Sequence, residues 1–459
     1  MKNFKTTLIT VAVAALLGGY IYFFERGPVK KEEEKKTKVF NNFVADDIKD
    51  IQIENLGATL NAEKTPIVLQ RDNKDVWQIL SPKAFRADES TIRSMLNAIG
   101  DFNPDVTIEK PANLKDFGLD PPLARCTLKS KAGTTFTILV GNKDMTGSSA
   151  YVKTADKDTV YLATSYMADN LHKGTNDYRD HGFFKTDPVV AKKIQITRNG
   201  KTLVFEKDKN NAWNISRPLA ARADSGKIRD LLNTISSLHI QDFVADHPSA
   251  LAPYGLSAPH LRVEVWPSDG GPSNAILVGR PKDKTSNLYA KSGEEPYVYL
   301  IGDFFDKNMD LKVSDYRDKT ILQFDSGAAK SLTVHRGSQV FIYRKDDKGQ
   351  WSSPSRPNGA TEAASLLNQL SGITISDFVE KPANTGLSAP PFVAEVGLAD
   401  GTTRVFKFGK REKDKVNLSV GKSAEVYLVP DSVVSQIEGY YNTILTPVTA
   451  ASPAPAAPK

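Results

Sequence analysis

The side chains that most often bind metal ions or carry out catalysis are few and scattered in this sequence. The available nitrogen and sulfur ligands are six histidines and one cysteine, Cys126, and no two histidines stand at the spacing of a metal-binding pair. We therefore predict no metal site and no cofactor. The histidines are His172, His181, His239, His247, His260 and His335.

Sequence motifs of the common enzyme classes are also missing. The chain has no G-x-x-x-x-G-K-S/T phosphate loop, no G-x-G-x-x-G after a strand and no G-x-S-x-G nucleophile elbow. Adjacent acidic residues such as Asp46-Asp47 and Glu294-Glu295 stand where turns are expected, so a solvated surface explains them. The setting of Cys126, ARCTLKSK, predicts a buried hydrophobe on a strand. We predict that the protein is not an enzyme and has no catalytic residues.

The composition is that of an ordinary globular chain. It has 459 residues, of which 40% are hydrophobic and 25% charged, so two to four domains are expected. Sixty basic and 54 acidic residues give a formal net charge of +6, spread along the chain and not gathered into a stripe. This distribution argues against nucleic acid as a partner.

The N-terminal segment is the feature that predicts a location. Lys2 and Lys5 precede an uncharged apolar run from Leu8 to Phe24, which would form about 25 Å of helix, at the short end of what crosses a bilayer. A cleaved signal peptide is the alternative, because Ala12-Val13-Ala14 resembles a cleavage site, but that site lies inside the run, and the run ends in aromatic residues typical of a membrane interface. We predict an uncleaved transmembrane anchor (1–25) in the inner membrane, a charged spacer (26–45) and a periplasmic location for the bulk of the chain.

The rest of the chain repeats itself three times. The tryptophans Trp77, Trp213 and Trp351 stand 136 and then 138 residues apart. Each is followed by a helical stretch (SMLNAI, DLLNTI, SLLNQL), a GL-x-x-P turn and the tripeptide VYL. The pentapeptide EKPAN therefore occurs twice, at 109–113 and 380–384, because the unit around it repeats.

These landmarks define the predicted domains and fold class. We expect repeat units at 46–184, 185–325 and 326–445, followed by a disordered Ala/Pro-rich tail (446–459). The fold class is α+β: three tandem repeats of a mainly antiparallel sheet with short helices, preceded by one N-terminal transmembrane helix. Asp88 and Asp224 are placed to cap helices, and the tryptophans are expected in the core between sheet and helix.

One repeated word suggests a joint between units. The sequence Tyr-Arg-Asp ends the first and second units, whereas the third unit has Ile444 at the matching position. The word thus occurs only where another unit follows. We predict that its Arg and Asp side chains form an inter-repeat joint with the Tyr side chain packed into the seam. The residues are Tyr178, Arg179, Asp180, Tyr316, Arg317 and Asp318.

A second surface feature is a set of basic residues in two predicted hairpins, GRPKDKTSNL and GKREKDKVNL. They could form a cationic edge that contacts anionic lipid headgroups or an acidic partner. The alternative is an ordinary solvated hairpin tip. The residues are Lys282, Lys284, Lys410, Arg411, Lys413 and Lys415.

The anchor, the repeated units with W-x-x-x-x-P and the GL-x-x-P turn resemble a bacterial family known as domain of unknown function 4340. The resemblance extends from about Lys49 to Tyr441. It implies a single-pass, envelope-facing protein that accompanies ABC-type transport systems related to gliding-motility exporters. It implies no catalytic residues, because that family has none assigned.

Together these observations predict a non-enzymatic, membrane-anchored periplasmic scaffold or accessory protein whose partner is a membrane protein, such as a transporter subunit. The alternative is an envelope ligand-binding protein that recognises glycan or lipid between repeat units. An envelope hydrolase is a third possibility. Co-purification, bound small molecules and loss of activity through a single polar residue would distinguish the three.

Overall fold

The structure is a computed structural model of the chain, and it describes residues 38–40, 42–57, 65–104, 106–184, 188–267, 272–284, 286–354, 360–380 and 382–445. The predicted anchor (1–25), most of the predicted spacer and the predicted C-terminal tail (446–459) lie outside the described residues.

Three antiparallel sheets follow one another along the chain. The first contains β1 (Ile48–Asn55), β2 (Ile67–Arg71), β3 (Trp77–Ser81), β4 (Phe85–Arg86), β5 (Thr107–Ile108), β6 (Ala124–Ser130), β7 (Thr135–Lys143), β8 (Ser149–Thr154) and β9 (Val160–Thr164). The second contains β10 (Lys193–Arg198), β11 (Lys201–Lys207), β12 (Trp213–Arg217), β13 (Ala221–Arg222), β14 (Asp242–Ala245), β15 (Leu261–Trp266), β16 (Asn274–Pro281), β17 (Asn287–Ser292) and β18 (Val298–Gly302). The third contains β19 (Ala329–Arg336), β20 (Gln339–Lys345), β21 (Trp351–Ser352), β22 (Asp377–Phe378), β23 (Phe392–Leu398), β24 (Thr403–Glu412), β25 (Lys415–Val420) and β26 (Tyr427–Pro430).

Short helices accompany each sheet. They are α1 (Glu89–Gly100), α2 (Ser165–Asn170) and α3 (Thr175–Tyr178) in the first repeat, α4 (Ser225–Ser236) and α5 (Asp303–Asn308) in the second, and α6 (Ala360–Ser371) and α7 (Asp431–Leu445) in the third. Short 3₁₀ helices lie at Ala45–Asp47, Leu114–Phe117, Pro188–Val190, Ala252–Tyr254, Val313–Tyr316 and Ser326–Ala328.

Each sheet consists of two meanders joined at its centre. In the first sheet the strand order is β4-β3-β2-β1-β6-β7-β8-β9-β5, so β1 and β6 are the central pair. The segment with α1 carries the chain from β4 at one edge to β5 at the opposite edge. The second sheet has the same order of equivalent strands, and the third has it for the eight strands described. Because β1 pairs with β6, the two central strands of the sheet are separated in sequence by about half of the repeat. The sheet is therefore complete only when that intervening segment has folded.

The long helix of each repeat is amphipathic and begins where the sequence predicts for the first two. In α1 the buried residues are Ile92, Met95, Leu96 and Ile99, at the spacing of one helical face. The N-caps are also as predicted: the Asp88 carboxylate accepts from the backbone N–H of Thr91, and Asp224 occupies the same position before α4.

Three separate hydrophobic cores lie between these helices and their sheets. Trp77 is 1% exposed and Trp213 is 7% exposed, as predicted for core residues, but Trp351 is only partly buried. Each core also includes a segment that precedes the first strand. Val39, which the sequence assigns to the spacer, is buried in the first core, and Leu322 is buried in the third.

The chain divides into two compact units, the first ending at His181 and the second beginning at Gly182. The first unit holds the first sheet. The second unit holds the second and third sheets.

A pair of glycines in each repeat allows a turn to lie directly on a strand. In the second repeat Gly255 has a φ of 70°, and a Cβ there would lie 2.7 Å from the backbone nitrogen of Arg280. A Cβ on Gly279 of β16 would overlap the carbonyl oxygen of Tyr254. The same pairs occur in the other repeats as Gly118 with Gly141 and Gly386 with Gly409.

The predicted fold class needs one correction. It included an N-terminal transmembrane helix, whereas no helix among the described residues is long and apolar enough to cross a membrane. The longest described helix, α7, has 15 residues, and a span takes about 20. The fold that the structure supports is therefore three mainly antiparallel sheets with few helices.

Candidate functional site

Two repeated tripeptides, Arg86-Ala87-Asp88 and Tyr178-Arg179-Asp180, are far apart in the sequence but pair with each other in the first repeat. The backbone N–H of Asp88 donates to the carbonyl oxygen of Tyr178 at 2.8 Å, and the N–H of Asp180 donates to the carbonyl oxygen of Arg86 at 3.0 Å. The side chains of Arg86 and Asp180 form an ion pair. We call this pairing of Arg-Ala-Asp with Tyr-Arg-Asp the clasp.

The second repeat has the same clasp. Asp224 donates its backbone N–H to Tyr316 at 2.8 Å, and Asp318 donates to Arg222 at 2.9 Å. The side chains of Arg222 and Asp318 lie 3.6 Å apart. The clasp ties the start of the long helix to the end of the same repeat. The third repeat has neither of these tripeptides in its sequence. Because the two tripeptides pair with each other, their joint absence is consistent with the loss of the whole clasp.

The tyrosines of the two clasps are packing residues. Tyr178 is fully buried and its hydroxyl donates to the carbonyl oxygen of Asn170 at 2.8 Å. Burial raises the pKa of Tyr178 well above its ordinary value. Tyr316 packs against Phe205, with ring centroids 5.3 Å apart, and burial raises the pKa of its hydroxyl as well. Both hydroxyls therefore remain protonated at neutral pH.

The side chain of Arg317 reaches from the second repeat into the third. Its guanidinium lies over the ring of Phe378, 3.5 Å from the centroid, and forms an ion pair with Glu425. The hydroxyl of Tyr427 donates to the same carboxylate at 2.9 Å. We call Phe378, Glu425 and Tyr427 the socket. Because the Arg317 side chain is only 11% exposed, solvent screens this contact less than an ordinary surface pair.

The socket geometry also occurs in the second repeat. Tyr299 donates its hydroxyl to Glu295 at 2.6 Å, and its ring meets Phe243 at 5.7 Å, edge to face. In the third repeat the corresponding rings, Phe378 and Tyr427, are 6.0 Å apart in the same arrangement. In the first repeat Thr107 stands in place of the phenylalanine, since it is the residue of β5 that pairs with Tyr161 of β9.

Arg179 of the first clasp lies within its own repeat over the ring of Phe85, 3.7 Å from the centroid, and contacts the side chain of Asn176 at 3.3 Å. The structure thus places all six predicted joint residues in clasps. For Arg317 it also shows contacts with the following repeat. Their role as a joint in function stays a prediction.

We expect Arg317→Ala to lower the free energy of unfolding by about 1–3 kcal/mol. Loss of a fully buried pair costs about 3–5 kcal/mol, and this value is reduced here because Glu425 is 42% exposed. Hydrogen exchange should show faster exchange at β22 and β26, which carry the socket. Arg222→Ala, which removes an exposed arginine of the same clasp, is the control and should leave both strands protected. Equal exchange in the two variants would contradict the prediction.

The predicted cationic edge lies on two exposed hairpins. Lys282 and Lys284 are exposed between β16 and β17. In the third repeat the charge is partly neutralised, since Arg411 pairs with Asp431 at 2.8 Å and with Glu438 at 2.7 Å. Lys410 lies 3.9 Å from Glu412, and the remaining cations of that hairpin are Lys413 and Lys415. Contact of this edge with lipid or an acidic partner stays a prediction.

A charged cluster in the second repeat was not predicted from the sequence. The Asp306 carboxylate accepts hydrogen bonds from Arg198 at 2.8 and 3.0 Å, and lies 2.7 Å from Nε2 of His260. Burial would raise the pKa of Asp306, but the hydrogen bonds from Arg198 and His260 outweigh it and lower the pKa. The three residues are far apart in the chain and follow no motif spacing, so the sequence contained no signal for them.

Asp306→Asn should destabilise the protein at pH 7 and make less difference in acid. A carboxyl with a lowered folded pKa stabilises the fold above its unfolded pKa, near 3.8, and this stabilisation is lost as the pH falls through the folded value. Urea unfolding at pH 7 and pH 3 measures the two differences. Asp310→Asn, which removes a carboxylate that is 82% exposed, is the control. A wild-type-to-variant difference that does not shrink in acid would contradict the assignment.

A cavity of about 400 Å³ adjoins this cluster. Its walls come from β10, β11 and the segment after α5, and include the buried side chains of Ile196, Leu203 and Met309. Arg198 and Lys201 lie on its rim. We call this cavity the groove. Its volume falls in the range of small-molecule sites.

Among the described residues, no group of three or more His, Cys, Asp or Glu side chains could hold a metal ion. Cys126 is buried, and burial raises the pKa of its thiol to about 12. His335 lies 3.3 Å from Glu395, a diagonal neighbour on the adjacent strand.

Comparison with known families agrees with the repeat architecture. The family described as Domain of unknown function (DUF4340) matches residues 77–249 and again residues 213–390. Together the two matches cover more than half of the chain. The chain belongs to this family. The two DUF4340 matches begin at Trp77 and Trp213, so the family pattern and the tryptophan period coincide, and the predicted resemblance and tandem repeat are confirmed. No curated protein matches the chain.

Proposed function

We propose that the protein is a non-enzymatic scaffold or accessory protein that binds a membrane protein at the periplasmic face of the inner membrane. We take subunits of an ABC-type transport system as the partner class, as the sequence resemblance implies. The observation that supports a scaffold is the contact of Arg317 with the socket, which couples the second and third sheets.

The physical argument concerns the cost of ordering a binding surface. A surface built from two repeats is an effective docking platform when the repeats are already held together, because less freedom is lost on binding. The edges of the third sheet, β21 and β22, are each two residues long and offer little for strand addition. We therefore propose that the partner contacts sheet faces and hairpins.

The test is crosslinking in cells that express the tagged full-length protein, followed by purification and identification of attached proteins by mass spectrometry. Recovery of transporter subunits supports the proposal. Recovery of the protein alone, from cells that express it well, contradicts it. Alkaline phosphatase fused after Tyr441 tests the location separately, and an inactive fusion overturns the periplasmic placement.

A second candidate function is ligand binding, with glycan or lipid as the ligand. The groove favours it, since a cavity with apolar walls and a polar rim is typical of small-molecule sites. The groove lies within the second repeat, whereas the sequence led us to expect a ligand between units.

A further inference from the structure

A second cavity lies beside the groove in the same repeat. It has a volume of about 390 Å³ and is lined by residues of α4, of α5 and of the segment 310–319, which includes the second clasp. Asp310 and Leu311 line both cavities. We call the second cavity the lysine cleft, because four lysines surround it: Lys227, Lys307, Lys312 and Lys319.

The two cavities differ in chemistry. The groove is lined mainly by apolar residues, which make up six of its eleven lining residues: Ile196, Leu203, Pro218, Met309, Leu311 and Val313. A ligand that fills it must present apolar atoms to gain free energy by burial.

The lysine cleft has an excess of positive charge. Its four lysines face two carboxylates, those of Asp310 and Asp315, which leaves a formal charge of four minus two, or +2. Lys307 also pairs with Asp303 at 2.7 Å, and Asp310 lies 3.9 Å from Nε of Arg198. A concave surface with a net positive charge attracts anionic ligands.

The lysines of the cleft are not part of the repeated framework. Aligned on the recurring asparagine of the long helix, Lys227 corresponds to Thr91 and Glu362 in the other repeats. Aligned on VYL, Lys312 corresponds to Gly174 and Tyr440. The other two repeats therefore fold without a cation at either position.

We propose that the groove and the lysine cleft together bind one amphipathic anion. Its hydrocarbon tail lies in the groove and its carboxylate or phosphate head lies among the lysines. This inference rests on the second proposed function, ligand binding, and is independent of the scaffold function. It specifies the ligand as lipid-like and places the site within one repeat.

The experiment measures binding to the purified full-length protein by isothermal titration calorimetry, with probes that share one tail. These are dodecanoate, dodecyl phosphate and the uncharged dodecyl maltoside, each below its micelle concentration, and inorganic phosphate as a head without a tail. We expect at least one of the two anionic amphiphiles to bind about tenfold more tightly than the maltoside and the free phosphate. The tighter of the two identifies the head group.

Variants assign the site. K227E/K312E should weaken binding of the tighter anion about tenfold, whereas K209E/K348E, the same charge change at two exposed lysines outside both cavities, should change it less than about twofold. Thr202→Trp, which places a large ring in the groove, should weaken every amphiphile. Thermal melting of each variant confirms that it is folded.

Three results would overturn the inference. No binding of any amphiphile contradicts ligand binding at this site altogether. Equal binding of the maltoside and the anions leaves ligand binding standing but contradicts the role of the lysine cleft. Equal weakening by the two double lysine variants shows a general charge effect and contradicts the site. None of these results bears on crosslinking to a membrane partner, so the scaffold function is tested separately.

Discussion

Trp77→Ala lowers the free energy of unfolding of the first repeat by about 3–5 kcal/mol, the usual cost of removing a fully buried aromatic side chain. The side chain is 1% exposed in the core between sheet and helix. The Arg71 guanidinium also lies over its ring, 4.8 Å from the centroid. Truncation therefore removes both a large apolar surface and a cation–π contact.

The repeat architecture supplies a matched control for this prediction. Trp351 occupies the same position in the third repeat but is only partly buried, so Trp351→Ala should cost less than half as much. Urea unfolding followed by circular dichroism gives the two losses, and hydrogen exchange assigns each transition to its sheet. Equal losses would show that exposure at this position does not determine the contribution of the tryptophan.

Gly279→Ala is the second substitution for which we expect a large effect. The new methyl group would overlap the carbonyl oxygen of Tyr254, and backbone atoms cannot move aside as a flexible side chain can. Overpacking of this kind costs about 1–3 kcal/mol and occasionally more. The melting temperature of the variant should fall, and protection against hydrogen exchange should decrease in β16 and in the Ala252–Tyr254 turn.

The control is a glycine-to-alanine substitution at a position where the added methyl group contacts no other atom. Gly439 lies in α7, and a Cβ there meets no atom within 4 Å, so Gly439→Ala should stabilise the helix by about 0.5–1 kcal/mol. The two variants carry the same chemical change, and we expect it to lower the stability in Gly279→Ala and to raise it in Gly439→Ala. A Gly279→Ala protein as stable as wild type would contradict the close approach of turn and strand.

Short-range patterns in the sequence predicted the local structure well. The capping aspartates Asp88 and Asp224 and the apolar spacing of the long helices depend on neighbours within a few residues, and the structure has them as predicted. The tryptophan period likewise located the repeats. It could not show that Trp351 is more exposed than its counterparts, because exposure depends on the strands that lie beside it.

Long-range pairings could not be predicted in the same way. Tyr-Arg-Asp was recognised as a repeat and Asp88 as a helix cap, but nothing in the sequence around either shows that Asp88 would bond to Tyr178, ninety residues on. The socket of Arg317 combines side chains from β22, β26 and the loop before it, and its geometry arises only when the sheet closes. The groove and the lysine cleft are likewise products of tertiary packing.

The N-terminal segment illustrates a different limit. Its apolar run predicted a transmembrane helix, but the run lies outside the described residues, and no helix among the described residues is long and apolar enough to cross a membrane. The architecture is defined instead by three sheets, and the function that we propose depends on how the second and third are joined.

The most direct test of this account compares the partners crosslinked to wild type, R317A and R222A in the same cells. If coupling of the second and third repeats creates the docking surface, wild type and R222A will recover the same transport proteins and R317A will recover much less of them at equal expression. Recovery by R317A equal to that of wild type, or no partner with any of the three, would contradict the account.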